Sequence, residues 1–481
     1  MIKRSSAYGR ALKLNPDHPD ALYKSGALLS QFGRYEDAIA CLDRSDELLP
    51  NQAPTLQARA RTLLNLKRWE ESLAVGKRAY QLDRSNADTC NNIGAALRLL
   101  GRNEEALTWF DRALDIRPNA TEALNNKLGS LYDLHRFDEI FALDARMTPL
   151  ESKDTMTEWT VSLAHLVTGN FEAGWRGHQA RLKLPSATYP KLSLPMWLGE
   201  EDIEGKTILI AADEGLGDTI QFVRYVPMLA ERGARVLLVV QDALYRLLSD
   251  MSGLSRCVPK SAAGTLPAFE LHCPVSTLPL AFGTRLDTIP STTPYLPPPA
   301  SNSVQAWNDR LGPRTRLRVG LVWSGSPTHT NDHNRSIPLR TLSRILDVDA
   351  TFVSLQKDPR PHDAAVLRER RDIIDLTADL TDFTETAALV SCLDLVITVD
   401  TSVAHLAGAI GCPTWILLPY TPDYRWLLDR DDSPWYPSMR LFRQSETREY
   451  ESVLDLARME LMKLVSARKG ADQPVWRPCT Q

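Results

Sequence analysis

The sequence predicts a multidomain chain: an all-α repeat solenoid followed by two doubly wound α/β halves. Three observations carry this expectation. A 34-residue period runs through the first third, and short β-rich runs alternate with helical segments from Lys206 onward. A proline-rich joint, STTPYLPPPASNS at 291–303, then divides those runs into two sets. At 481 residues the chain has room for about two to four domains.

The period comes first. Pro16 and Pro50 stand 34 residues apart, and the same step reaches Arg84 and Pro118. Small residues keep the register, with Gly26, Ala60 and Gly94 in one position and Ala38, Ser72 and Ala106 in another. Leu42, Gly76 and Phe110 make a third. The stretches QFGRYEDAIACLDRSDELLP, NLKRWEESLAVGKRAYQLDR and LLGRNEEALTWFDRALDIRP are one segment repeated, and together they resemble the tetratricopeptide repeat. Such a unit is a helix pair whose small residues let the two helices approach closely, and stacked pairs form a superhelix with a concave groove. Repeats are expected at 19–52, 53–86 and 87–120, with a degenerate fourth at 121–150. Residues 1–18 match only the second helix of a unit, through Tyr8, Ala11 and Pro16. Either earlier repeats are missing or this helix is an unusual cap. The whole region, 1–150, is expected to recruit a protein through its groove; the plainer alternative is a scaffold or dimerisation surface.

A helical connector (151–198) leads to the first α/β half (199–303, with the proline-rich linker). It is followed by a second half (304–447) and a C-terminal helix and tail (448–481). The strands are read from KTILIAAD, ARVLLVV and FELHCPV in the first half. In the second they are RVGLVWS, TFVSLQK, DLVITVD and PTWILLP. Strand–helix alternation implies parallel sheets, and ligands of such sheets sit at the carboxyl ends of the strands. The terminal helix (449–468) is expected to brace the first half, and 470–481 to be a loose tail.

Composition narrows the function. Apolar content of 43%, charged content of 24% and a formal net charge of −4 fit a soluble globular protein and leave no basic footprint for nucleic acid. The N-terminus has no apolar leader core, and no run of about 18 apolar residues exists to span a membrane. Seven cysteines (41, 90, 257, 273, 392, 412, 479), never in CxxC spacing, fit a reducing compartment, so the expected setting is the cytoplasm.

Chemistry gathers at strand ends. TVDTSVAHLAG (398–408) ends a strand at Asp400 and opens a helix that Asp400, Thr401 or Ser402 can cap. Its first-turn N–H groups attract anions, and His405 shares a face with the two hydroxyls. The alternative is a simple cap beside a half-buried histidine. EGLGD (214–218) follows the first strand, and its glycines Gly215 and Gly217 permit close backbone approach. WSGSP brings Ser324 and Gly325, NDHNRSIPL brings Arg335, and SLQKD brings Gln356 and Lys357.

In this order the motifs resemble the GT-B glycosyltransferases of the bacterial heptosyltransferase type, through Gly217-Asp218, Arg335 with Pro338, and Asp400 to Ala409. The whole chain is similar to the bacterial tetratricopeptide-repeat glycosyltransferases. The shared segments are Trp175–Arg181, Gly215–Tyr225 (with Gln221), Arg335–Leu339, Ser354–Lys357, Val399–Ala409 and Ser433–Gln444. One departure is Asp213-Glu214, where Glu-Gln is expected.

The resemblance implies two Rossmann-like domains facing a cleft, with the acceptor on the first half and a nucleotide-sugar on the second. It also implies an inverting transfer to a hydroxyl. Asp218 is the expected base with Glu214 in reserve. The donor phosphate would be held by Thr401, Ser402 and Arg335, with Ser324, Gly325, Gln356 and Lys357 assisting; His405 would contact the donor or orient Asp400. No cofactor is expected beyond the nucleotide-sugar co-substrate. Carboxylate clusters at Asp347–Asp349 and Asp429–Asp432 are read as local turns rather than a metal site, so no metal is expected. The aromatic segment Tyr420–Tyr436 packs either on the nucleotide base or in the core. The acceptor is expected to be a protein, such as a bacterial surface or flagellar protein modified before export. Alternatives are a lipid-linked or oligosaccharide acceptor, or a non-catalytic scaffold.

Overall fold

The computed structural model describes residues 2–147, 154–329 and 331–470; residues 471–481, which make up nearly all of the expected tail, lie outside the described residues. The chain divides into two compact units, Met1–Ala164 and His165–Gln481.

The first unit is helical throughout its described part. After a helix at Ile2–Leu14 come four antiparallel pairs: Pro19–Gln31 with Tyr35–Leu48, Ala53–Asn65 with Trp69–Leu82, Ala87–Leu99 with Asn103–Ile116, and Thr121–Asp133 with Phe137–Met147. The helix Thr155–Val167 follows. The small-residue register has the expected cause. A Cβ at Gly26 would lie 2.7 Å from Leu42 Cγ, and one at Gly94 only 2.5 Å from Phe110 Cε1. The turn inside each pair places Gly33, Lys67, Gly101 and His135 at positive φ, again 34 residues apart. Glycine takes that conformation freely, so Lys67 and His135 mark where the pattern is least ideal. Arg34, Arg68, Arg102 and Arg136 each pair with the acid three residues on. These exposed pairs trim the helix starts but contribute little to stability.

The second unit contains two parallel sheets. The first half supplies β1 (Thr207–Ala211), β2 (Arg235–Val240), β3 (Leu254–Pro259) and β4 (Leu271–Pro274). Their order is β3-β2-β1-β4. The second half supplies β5 (Leu317–Val322), β6 (Ala350–Ser354), β7 (Ile373–Asp375), β8 (Leu395–Val399), β9 (Thr414–Leu418) and β10 (Met439–Arg443). Their order is β10-β9-β8-β5-β6-β7. Both are Rossmann-like, as expected, and each has a point where the strand order reverses: β1/β4 in the first, β5/β8 in the second. Such a point opens a crevice at the carboxyl ends of the strands.

Two expectations need correction. The helix Glu451–Gly470 does not brace the first half. Its Val453, Leu454, Ala457, Leu461 and Val465 join the core of the second sheet, with Trp323, Phe352 and Leu417. Arg344–Asp455, Arg440–Glu460 and Arg468–Asp394 tie its polar side to the same half. The apolar spacing of a helix tells which face is buried, not which sheet buries it. The proline-rich joint, whose consecutive prolines predict a stiff, extended spacer, is instead held to both halves. Tyr295 donates its backbone N–H to the Ala409 carbonyl (3.0 Å) and its hydroxyl to the Ile220 carbonyl (2.9 Å). It is thereby wedged between the helices that begin at the two main motifs. No described helix is long and apolar enough to cross a membrane.

Candidate functional site

The two motifs singled out from the sequence meet. β1 runs out into Asp213-Glu214, and Gly215 opens the helix Leu216–Phe222; β8 runs out into Asp400, and Thr401 opens the helix Ser402–Ala409. A Cβ at Gly217 would lie 2.6 Å from His405 Cδ2 and 3.5 Å from Ser402 Cα. Only glycine fits there, because the two helix starts are packed against each other. Thr401 occupies the N-cap position, but its hydroxyl does not cap. It sits instead 3.3 Å from the Thr398 hydroxyl.

Asp218 has both carboxylate oxygens engaged. Oδ2 accepts the Gly215 N–H at 2.7 Å, which closes the helix start on itself. Oδ1 accepts from Arg425 Nη2, a residue 207 positions away that sequence reasoning missed. Arg425 also donates to Asp423 at 2.7 Å and lies 4.4 Å from the centre of the Tyr424 ring. Burial works against its charge, but Asp218 and Asp423 more than offset this and hold its pKa well above the usual. A signal existed in Tyr424-Arg425-Trp426, a cation between aromatics just past the end of β9.

On the second half, Arg335 donates to the Asp400 carbonyl at 3.0 Å. Its guanidinium lies over Gly325, where a Cβ would come within 2.6 Å of Nη2. Gln356 supports this loop from beneath, since its Oε1 accepts the N–H groups of Trp323 and Ser324 at 3.0 and 2.8 Å. Lys357 turns its ammonium to the Leu380 carbonyl, 2.7 Å away. Of the residues read as donor-binding, the structure thus gathers Ser324, Gly325, Arg335, Asp400, Thr401, Ser402 and His405. It assigns Gln356 to loop support and directs Lys357 elsewhere. Gln221 is fully buried, and neither amide atom has a hydrogen-bond partner.

A second cation, Arg224, which lies in the shared segment Gly215–Tyr225 without a role read from sequence, ties the halves together. It donates to the carbonyls of Trp435 (2.8 Å) and Pro290 (3.1 Å) and lies 4.6 Å from the ring centres of both Tyr295 and Tyr436. Tyr424, Trp426, Trp435 and Tyr436 are all buried. The aromatic segment therefore resolves to core packing, with Trp435 against Trp175, Phe171 and Phe222. Trp175 and Arg181 enter the same unit, and Arg181 grips Asp213 through Nε and Nη2 at 2.9 and 2.7 Å. The carboxylate clusters are arginine-paired: Asp347 with Arg458, Asp349 with Arg316 and Asp432 with Arg430.

Charge in the site is crowded. Burial, then the neighbouring Asp218, pushes the Glu214 carboxyl up to about 7, against Arg181, whose Nε stands 3.6 Å away. Burial and Asp423 push Asp400 up to about 6. His405 is held well below the usual histidine range by burial and by Arg425, Arg224 and Arg335, so its imidazole is neutral at pH 7. It stacks on Trp426, with Nδ1 3.0 Å from the Tyr436 hydroxyl.

A folded-state pKa raised above the unfolded value gives stability that is present at low pH and lost as pH rises through the folded value. For Glu214 that window runs from its ordinary value of 4.5 to about 7. Glu214→Gln is therefore expected to raise Tm over wild type at pH 8, with the gain shrinking towards pH 4.5. Calorimetry across that range is the check, and a gain independent of pH would refute the assignment.

Two helix starts at the points where the strand order of these sheets reverses, lined by arginines, can hold an anionic ligand. Profiles of known families add to this. The tetratricopeptide repeat matches residues 6–64 and 87–120, and glycosyltransferase family 9 (heptosyltransferase) matches residues 362–458. The chain thus combines tetratricopeptide repeats with a heptosyltransferase-type glycosyltransferase domain. The family 9 match takes in Asp400 to His405, Asp423, Arg425 and Tyr436.

Protein FlbA of Caulobacter vibrioides is 25% identical over 308 residues, covering 58% of this chain and 50% of that protein. The chain spans about half the length of this curated relative. Among solved structures, YrrB, a repeat protein with an unusual peptide-binding site, is 20% identical with a TM-score of 0.31. It covers 37% of this chain and 92% of its own. The first repeat domain of Spaghetti (RPAP3), bound to an HSP90 peptide, is 26% identical with a TM-score of 0.24. It covers 24% of this chain and 93% of its own.

Proposed function

We propose that this protein transfers a sugar from a nucleotide-sugar donor to a hydroxyl of a protein acceptor recruited by the repeats. The observation that carries the reading is the contact of Gly217 with His405 and Ser402. That contact, with Arg335 bonded at the Asp400 carbonyl just before the same helix, supports a site in which Asp218 of the first half meets the phosphate-binding elements of the second. In the transfer, the acceptor oxygen bonds to the anomeric carbon and its proton passes to Asp218. The bond from that carbon to the phosphate oxygen breaks, and its electron pair leaves with the nucleotide. Attack from the first-half side, opposite the phosphate, gives inversion, in line with the heptosyltransferase resemblance. The charge of the leaving phosphate is met by Arg335 and the first-turn N–H groups of Ser402–Ala409, which supports a GT-B, metal-independent mechanism. None of the six described cysteines is in a disulfide, which supports a cytoplasmic setting.

Thermal shift with UDP, GDP, ADP, CMP and their sugars tests this directly. One nucleotide is expected to stabilise wild type by about 2.7 kcal/mol at 100 times its Kd, and Arg335→Ala to lose that gain. A wild type that responds to none of them would overturn the reading.

A further inference from the structure

We infer that Arg425 is a second phosphate-binding residue, which gives up Asp218 for the donor's diphosphate and thereby frees Asp218 to act as base. The inference rests on the transferase reading above and adds to it a residue, a ligand class and an order of events.

The argument starts from how arginine binds anions. Its Nε and Nη2 lie along one edge and together form two parallel bonds to a carboxylate or phosphate. At Arg68, Arg181 and Arg344 that edge is filled by one partner. Arg68 gives both nitrogens to Glu71 at 2.6 and 2.7 Å, Arg181 both to Asp213, and Arg344 both to Asp455. Arg425 differs. Nη2 goes to Asp218 and Nη1 to Asp423, but Nε is buried with no hydrogen-bond partner, in a residue only 7% exposed. Its two-pronged edge is half used. Arg335 likewise hydrogen-bonds only through Nη1, to the Asp400 carbonyl; its Nε is buried without a hydrogen bond and stands 3.8 Å from Asp332 Oδ1, at ion-pair distance.

These two arginines flank one place. Arg335 is bonded at Asp400, immediately before the helix Ser402–Ala409. Arg425 is bonded to Asp218, whose neighbour Gly217 packs against Ser402. Two open guanidinium edges beside one helix start suit two phosphates, which favours a nucleoside diphosphate over a monophosphate. Surrounding carboxylates make the exchange feasible. Asp218, Asp423, Glu214 and Asp400 crowd the site, so Arg425 stands among more carboxylates than it can pair and can turn its Nε/Nη2 edge to phosphate. Asp218 would retain the Gly215 N–H on Oδ2, and its Oδ1 would be open to the acceptor's proton. Donor must then bind before the base is available.

Isothermal titration of the full chain tests this. The probes are whichever of UDP, GDP and ADP stabilises wild type, its monophosphate, and inorganic pyrophosphate. Arg425→Gln is expected to weaken the diphosphate by about 30-fold, the scale of lost charge-assisted bonds, and the monophosphate by less than about threefold. Asp423→Asn, which removes a competing carboxylate, is expected to tighten the diphosphate several-fold and keeps the test alive if Arg425→Gln does not fold. Equal diphosphate affinity in Arg425→Gln and wild type, equal losses for both nucleotides, or no tightening in Asp423→Asn would each overturn the inference alone. A wild type that binds no nucleotide would overturn it together with the transferase reading.

Discussion

Asp213→Ala is expected to destabilise the His165–Gln481 unit by about 3–5 kcal/mol, because it strands a buried guanidinium without its partner. Asp213 takes Arg181 Nε and Nη2 on one oxygen and the Ser276 N–H (3.1 Å) on the other. Its side chain is 1% exposed and that of Arg181 is 6% exposed, so water cannot take the vacated place. Arg181 would keep the neutral Thr277 hydroxyl (2.9 Å) and His178 carbonyl (3.0 Å), and its one remaining carboxyl, Glu214, stands 3.6 Å from Nε without a hydrogen bond and is pushed by burial towards its neutral form. Urea unfolding of the full chain, followed by tryptophan fluorescence, is the measurement. A loss under about 1 kcal/mol would show that the pair is solvated, contrary to its burial. Replacing both partners with apolar residues of similar volume should recover much of the loss, since the penalty lies in the unpaired charge. The consequence reaches function, because Asp213 ends the β1 run and pins the loop that presents Glu214, Gly215 and Asp218.

Asp218→Asn should lower the turnover number by about 10²–10⁴, the usual contribution of a positioned base. Asparagine keeps an oxygen for the Gly215 N–H, so the helix start and the fold should survive. Nucleotide affinity should stay level or rise, because the substitution loosens the hold on Arg425. The split matters: a structural role would lower Tm and binding together, whereas a base lost alone lowers turnover only. Release of nucleotide from the donor, followed with matched unfolding curves, separates the two. Turnover within about threefold of wild type would exclude Asp218 as the base and move attention to Glu214, whose Oε2 is buried without a hydrogen-bond partner.

Local pattern made much of this molecule legible. The 34-residue step survives into the fold as close approaches at Gly26 and Gly94 and as turns at 33, 67, 101 and 135. Both are short-range consequences of backbone geometry. Strands such as TILIA and LVITV announce themselves because both faces are buried and all but one threonine in each is apolar. β3, read as LSRCVP, did not, since Ser255 and Arg256 face solvent at the sheet edge. β7 is only three residues long, and β10 carries Arg440 and Arg443 within it.

The site divides along the same line. Glycines, hydroxyls and the Asp400–His405 block were visible because a strand end that opens a helix has a local signature. Their partners were not. Asp218 and Arg425 are 207 positions apart, Arg224 and the Trp435 carbonyl 211, and no periodicity links such pairs. A charge writes no spacing rule into the chain; it takes whichever opposite charge or carbonyl the packed halves bring within reach. Element type and motif placement were therefore readable from neighbours in the chain. Which carboxylate is engaged, which arginine keeps an open edge and which sheet receives the terminal helix were settled by packing, where burial removes water and makes each buried polar group's partner consequential.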